Sequence, residues 1–182
     1  MIIYSYLSNK LCNFTKNIMN ISLPGDKEYE ARPSIENKIL RINLNENIYG
    51  TFVEIGAGQE VVRGFYRVGG ASGTIAKSMS AYDRSFSDSI YGKDGEKRYV
   101  TQNRLDQMLD HEMNLLEQRI SRDEFPNKFF FVYANTVATI DFVKKFKGHG
   151  WMGIRFQTNP NEEYSEIKLH VRFHQNEAKL QQ

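Results

Sequence analysis

The longest regular pattern of apolar positions runs from Thr101 to about Arg119. Leu105, Met108, Leu109, Leu115, Leu116 and Ile120 recur at three- and four-residue spacing. One face of a helix is therefore apolar, and Thr101 can cap its start. Two later segments alternate instead. Met152, Ile154 and Phe156 oppose Arg155, and Ile167, Leu169, Val171 and Phe173 oppose Lys168, His170 and Arg172. That period predicts two half-buried strands, antiparallel and joined through Asn159-Pro160-Asn161. Thr51–Ile55 and Phe129–Tyr133 read as buried strands, rich in β-branched and aromatic residues.

The first of these runs straight into Gly56-Ala57-Gly58, and a helix is expected from Glu60 to about Arg67, broken by Gly69-Gly70. After Gly70-Ala71-Ser72-Gly73, residues Thr74 to Ala81 read as a further helix. Ile39, Leu40, Ile42 and Leu44 suggest a short apolar strand or turn. Residues 1–37 have weak periodicity and carry the turn signals Pro24-Gly25-Asp26 and Arg32-Pro33-Ser34. We read them as a loosely structured arm ahead of one domain, 38–182. The expected class is α+β, a long amphipathic helix packed on a small mixed or antiparallel sheet.

Composition narrows the functional classes. The 182 residues are 40% hydrophobic and 25% charged, which excludes a disordered tail, a collagen and a multi-span membrane protein. The net charge of +2, without a dense Lys/Arg run, gives no strong nucleic-acid signal. One cysteine, Cys12, allows neither an internal disulfide nor a cysteine-based zinc site. No apolar run is long enough to span a bilayer, and the start makes a poor signal peptide. The expectation is a cytoplasmic protein without a membrane partner.

Four motifs carry chemistry. Glu54-Ile55-Gly56-Ala57-Gly58-Gln59-Glu60 joins a strand to a helix through glycines, a shape that brings backbone N–H groups to an anion. The third glycine of the dinucleotide fingerprint is replaced by Val61, and Glu60 would repel phosphate. The acidic residue a methyltransferase needs after the next strand is not evident, because Asp83 follows a helical pattern. In Arg67-Val68-Gly69-Gly70-Ala71-Ser72-Gly73 and the following Lys77, small residues, a hydroxyl and two cations suit a phosphate or carboxylate cradle. Glu112 interrupts the apolar stripe of the long helix, so its carboxylate must be paired, hydrogen-bonded or shifted in pKa. His149, among Gly148, Gly150 and Trp151, is a candidate proton shuttle or ligand. His111, His149, His170 and His174 show no zinc spacing, so no metal site is expected, and no cofactor is specified.

The runs Tyr49–Val61, Phe65–Thr74 and Ala76–Asp83 resemble a family of uncharacterised bacterial proteins. So do Ser87–Gly92, Arg98-Tyr99-Val100, His111-Glu112, His149–Gly153 and His170-Val171-Arg172. Members carry labels such as nicotinamide-mononucleotide adenylyltransferase or TonB-dependent receptor. The residues support neither label. Gly148-His149-Gly150-Trp151 is not the His-x-Gly-His signature, and a receptor barrel needs many alternating strands. The resemblance implies longer proteins with this region near the N-terminus, so the chain is expected to be the opening part of a longer architecture.

The leading expectation is a binding or enzymatic domain for a phosphate-bearing small molecule or nucleotide. In it Gly56, Gly58, Gly69, Gly70 and Ser72 hold the anion and Arg67 and Lys77 neutralise it. Glu54, Glu112 or His149 supplies acid–base chemistry. The alternatives are an N-terminal interaction or scaffold module of a longer protein or a truncated copy of one, with self-association or a missing C-terminal region, and a degenerate S-adenosylmethionine-dependent methyltransferase.

Overall fold

A computed structural model describes residues 33–93, 98–141 and 147–181. Cys12 and nearly all of the expected arm lie outside the described residues; its final part, 33–37, is described. There Ser34 accepts a hydrogen bond from the Asn37 N–H and starts helix α1, Ile35–Asn43. The strand or turn expected around Ile39–Leu44 is thus mostly helix. Ile35, Ile39 and Ile42 recur at helical spacing, and Ile42 packs into the core.

The remaining α-helices and strands of the described residues are β1 (Ile48–Gly56), α2 (Val61–Val68), β2 (Ile75–Ala81), α3 (Arg84–Tyr91), α4 (Gln102–Arg119), β3 (Phe129–Ala138), β4 (His149–Phe156) and β5 (Ser165–Arg172). The strands form one mixed sheet in the order β2-β1-β3-β4-β5. β1 is parallel to both β2 and β3, while β3-β4-β5 is an antiparallel meander. The class is α+β, with the long helix on a mixed sheet as expected. α4 starts where predicted, with the Thr101 hydroxyl accepting the Arg104 N–H at 3.1 Å.

The segment expected as a helix over Thr74–Ala81 is the strand β2. Its register pairs Lys77 with Thr51, Met79 with Val53 and Ala81 with Ile55. Small Ala and Ser residues satisfy either period; pairing with a buried central strand decides for β. Asp83 therefore follows a strand and not a helix. Its carboxylate is committed locally, accepting the Phe86 N–H at 2.9 Å as the α3 cap.

Burial alternates across the sheet. Phe52, Phe129, Phe131 and Phe156 gather with Ile42, Val62 and Phe65 on the α1/α2 side. Val53, Ile55, Phe130, Val132 and Ala134 gather with Leu105, Met108, Leu109 and Leu116 on the α4 side. β1 is therefore covered on both faces, which explains its nearly continuous apolar run. At its end Gly56 adopts φ +76°, and a Cβ there would collide with the Val137 carbonyl. A Cβ on Gly58 would meet Val137 Cγ2 at 2.6 Å and Asn135 Oδ1 at 2.7 Å. Gly58→Ala should therefore cost about 1–3 kcal/mol by overpacking. Urea denaturation should show a lower midpoint at unchanged slope; an unchanged midpoint contradicts this close approach.

Candidate functional site

The two glycine turns do not share a site. Gly50 pairs with Ile75 at one end of β1/β2 and Ile55 pairs with Ala81 at the other. Gly56 and Gly58 thus lie at the carboxyl end of β1, and Gly69, Gly70 and Ser72 lie beside its start. Six residues of strand, about 20 Å, separate the turns. The composite anion cradle expected from sequence is not formed.

Each turn is also engaged internally. The Ala57 N–H donates to the Val137 carbonyl at 3.0 Å, and the Gln59 amide donates to the carbonyls of Glu54 and Gly56. At the start of α2 the Val61 N–H, which an external anion would use, donates to Glu54 Oε1 at 3.1 Å. Asn135 Nδ2 donates to the same oxygen at 3.2 Å. Glu54 is buried, and its cross-strand neighbour is Asn135. It serves as the resident anion of that helix end. Burial lifts its carboxyl above the ordinary range, against the opposing pull of these hydrogen bonds. At the other turn, Asn43 Nδ2 donates to the Gly69 carbonyl at 2.7 Å and ties the loop to α1. Ser72 and Arg67 are exposed.

Two predicted residues do meet. Glu112 on α4 is 1% exposed, and its Oε2 forms an ion pair with Lys77 Nζ from β2. Its Oε1 accepts the Tyr91 hydroxyl at 2.9 Å. Burial first, and then the Glu112 charge, hold the Tyr91 phenol far above its usual value, so it remains a proton donor. Glu112 is paired, as a carboxylate on an apolar stripe requires. A cavity of about 100 Å³ opens beside the pair, lined among others by Tyr49, Thr51, Lys77, Glu112 and Arg119. Arg119 makes no ion pair with any described residue.

His149 lies elsewhere, at the start of β4, opposite Ala138 and Arg172. Its Nδ1 is 3.2 Å from His170 Nε2, and the His170 ring stacks on Trp151 at 4.6 Å. Burial and the neighbouring His170, Arg98 and Arg172 hold its pKa below the usual value. It does not line the cavity beside Glu112.

No family model matches this chain, and no curated protein is significantly similar to it. Solved structures do match in fold. The competence/damage-inducible protein CihA of Agrobacterium tumefaciens is 15% identical, with a TM-score of 0.51 over 79% of this chain and 83% of that one. The competence damage-inducible protein A of Klebsiella pneumoniae subsp. pneumoniae MGH 78578 is 9% identical, with a TM-score of 0.54 over 77% and 81%. A CinA superfamily protein of Klebsiella pneumoniae 700603 is 10% identical, with a TM-score of 0.53 over 75% and 79%. At these identities the likeness shows the fold alone. None of the three is named as an adenylyltransferase or a receptor. No described helix is long and apolar enough to cross a membrane, and no described group of three or more His, Cys, Asp or Glu could hold a metal ion.

Sequence reasoning missed Tyr91, Arg119 and Arg104. Arg104 is fully buried, ion-paired with Asp88 at 2.6 Å and set against the Tyr99 ring. It stands four and eight residues before Met108 and Glu112, on one helical stripe. The same test that singled out Glu112 applies to it. Tyr91 and Arg119 carried no comparable signal, because only tertiary packing brings Tyr91 to Glu112 and Arg119 to the cavity.

The raised pKa of Glu54 sets a pH dependence. A folded value above the unfolded one gives stability that is complete below the unfolded pKa and is lost as pH rises through the folded pKa. Glu54→Gln removes that loss. The melting temperature of the variant relative to the native chain should rise as pH moves from the ordinary glutamate range toward neutrality. A pH-independent difference contradicts the assignment.

Proposed function

We propose that this chain is a small-molecule binding domain whose ligand carries a phosphate or carboxylate, held in the cavity between β1, β2 and α4. The observation that carries the reading is the convergence of Lys77, Glu112 and Arg119 on one cavity. The buried Glu112 carboxylate fixes the Lys77 ammonium at the wall while leaving part of it exposed. An ammonium has three N–H donors, so one ion pair leaves others for a ligand oxygen. Arg119 adds a planar fork suited to phosphate or carboxylate. These two cations outweigh Glu112 and the roughly half-unit negative charge of the helix C-terminus near Arg119.

Volume limits the ligand. Pockets that enclose drug-sized molecules measure roughly 300–1,000 Å³. A cavity of about 100 Å³ takes an anionic head group and leaves the rest of a sugar phosphate or nucleotide outside. The Tyr91–Glu112–Lys77 chain of groups can hold a proton beside that head group. This provides a basis for acid–base chemistry without assigning a reaction.

Differential scanning fluorimetry tests the reading with inorganic phosphate, sugar phosphates, nucleotides and S-adenosylmethionine. A phosphate compound at about 100 times its Kd should stabilise the fold by about 2.7 kcal/mol, or about 5–10 °C. Arg119→Met should abolish the shift, and Arg67→Met, remote from the cavity, should leave it. Lys77→Met should abolish it too, while also lowering basal stability. Absence of stabilisation by every phosphate compound contradicts the reading, as does dependence on Arg67 instead of Arg119.

A further inference from the structure

We propose that the outer edge of β5 pairs with β5 of a second copy of this chain, antiparallel about Leu169, to join two sheets into one. β5 ends the sheet order, and no described strand pairs with its outer side. Its pairing with β4 has no bulge. The strand, Ser165-Glu166-Ile167-Lys168-Leu169-His170-Val171-Arg172, contains no proline. Proline, bulges and unpaired lysines are the usual protections of a sheet edge. The edge lysine here, Lys168, is already neutralised by Asp106 and Glu166, each at 2.6 Å.

Hydrogen-bond parity shows which groups face outward. The Phe173 N–H donates inward to the Gly148 carbonyl at 3.1 Å. Backbone groups alternate in direction along an antiparallel strand, so those of Leu169 and Val171 also face β4. Those of Glu166, Lys168, His170 and Arg172 face away from the sheet. A twofold axis at Leu169 aligns this outward set with its own copy, Glu166 opposite Arg172 and Lys168 opposite His170.

Side chains select the same register. With the axis at Leu169, Glu166 of each copy faces Arg172 of the other, Ile167 faces Val171, and Leu169 faces itself. Opposite charges across a strand pair are favourable and like charges are not. Moving the axis to His170 sets Arg172 opposite Lys168, and moving it to Lys168 sets Glu166 opposite His170, so neither keeps Glu166 opposite Arg172. Leu169 is 51% exposed in the single chain, and pairing covers part of it. The partner is therefore a second copy with its own Glu166, Leu169 and Arg172. The inference does not depend on the anion cavity, which lies near the other side of the sheet.

Sedimentation velocity over the micromolar range tests it on the full chain. The native chain should shift with concentration from monomer mass to twice that mass. Arg172→Glu and Glu166→Arg should each stay monomeric, with native circular dichroism. An equal mixture of the two should regain the doubled mass, because each charge then meets its opposite across the axis. If either swap fails to fold, Leu169→Lys serves, since it sets like charges on the axis and should give a monomer. A native chain monomeric throughout, a dimer that survives these substitutions, or a mixture that stays monomeric overturns the pairing.

Discussion

A buried carboxylate must be compensated, and at Glu112 that requirement joins three elements. Removing an ion from water costs several kcal/mol unless charge and hydrogen bonds replace the lost hydration. Tyr91 from α3 donates to one oxygen, and Lys77 from β2 pairs with the other. α4 is therefore held to the edge strand as well as to the apolar centre of the sheet. The same pair forms a wall of the cavity that also receives Arg119. An ion pair of this kind contributes little net stability compared with apolar packing, but it penalises arrangements in which either partner is missing.

A second carboxylate governs the other face. Glu54 meets Asn135 across the parallel β1–β3 pair and accepts the first N–H of α2. The glycine turn between β1 and α2 resembles an anion cradle because it does hold an anion, supplied by the chain itself. Gly58 follows from close packing against Val137 and Asn135, and Gly56 from its positive φ and the nearness of the Val137 carbonyl. The start of α2 in this chain is thus already neutralised from within.

Much of the architecture was legible in the residues. The stripe of α4, the buried runs of β1 and β3 and the alternation of β4 and β5 each match one strong period. The errors fall where residues are small or the run is short. Ala76, Ser78 and Ser80 fit helix and strand alike, and only pairing with β1 settles β2. Ile39–Leu44 carried too few positions to separate a turn of helix from a strand. Glu112 could be singled out because a lone charge on an apolar face has few acceptable environments. The grouping of glycine turns failed for another reason. Local motifs state what a loop can do but not which end of the sheet it occupies, and that depends on strand direction.

The most direct test of the Glu112 constraint is a double-mutant cycle in urea with Lys77→Met, Glu112→Met and both together. Lys77→Met alone should cost roughly 2–4 kcal/mol, toward the low side for a buried pair because Lys77 reaches solvent. Adding Glu112→Met should recover most of that loss, since no unpaired charge then remains in the core. Two losses that simply add would contradict the coupling and remove the basis for the site.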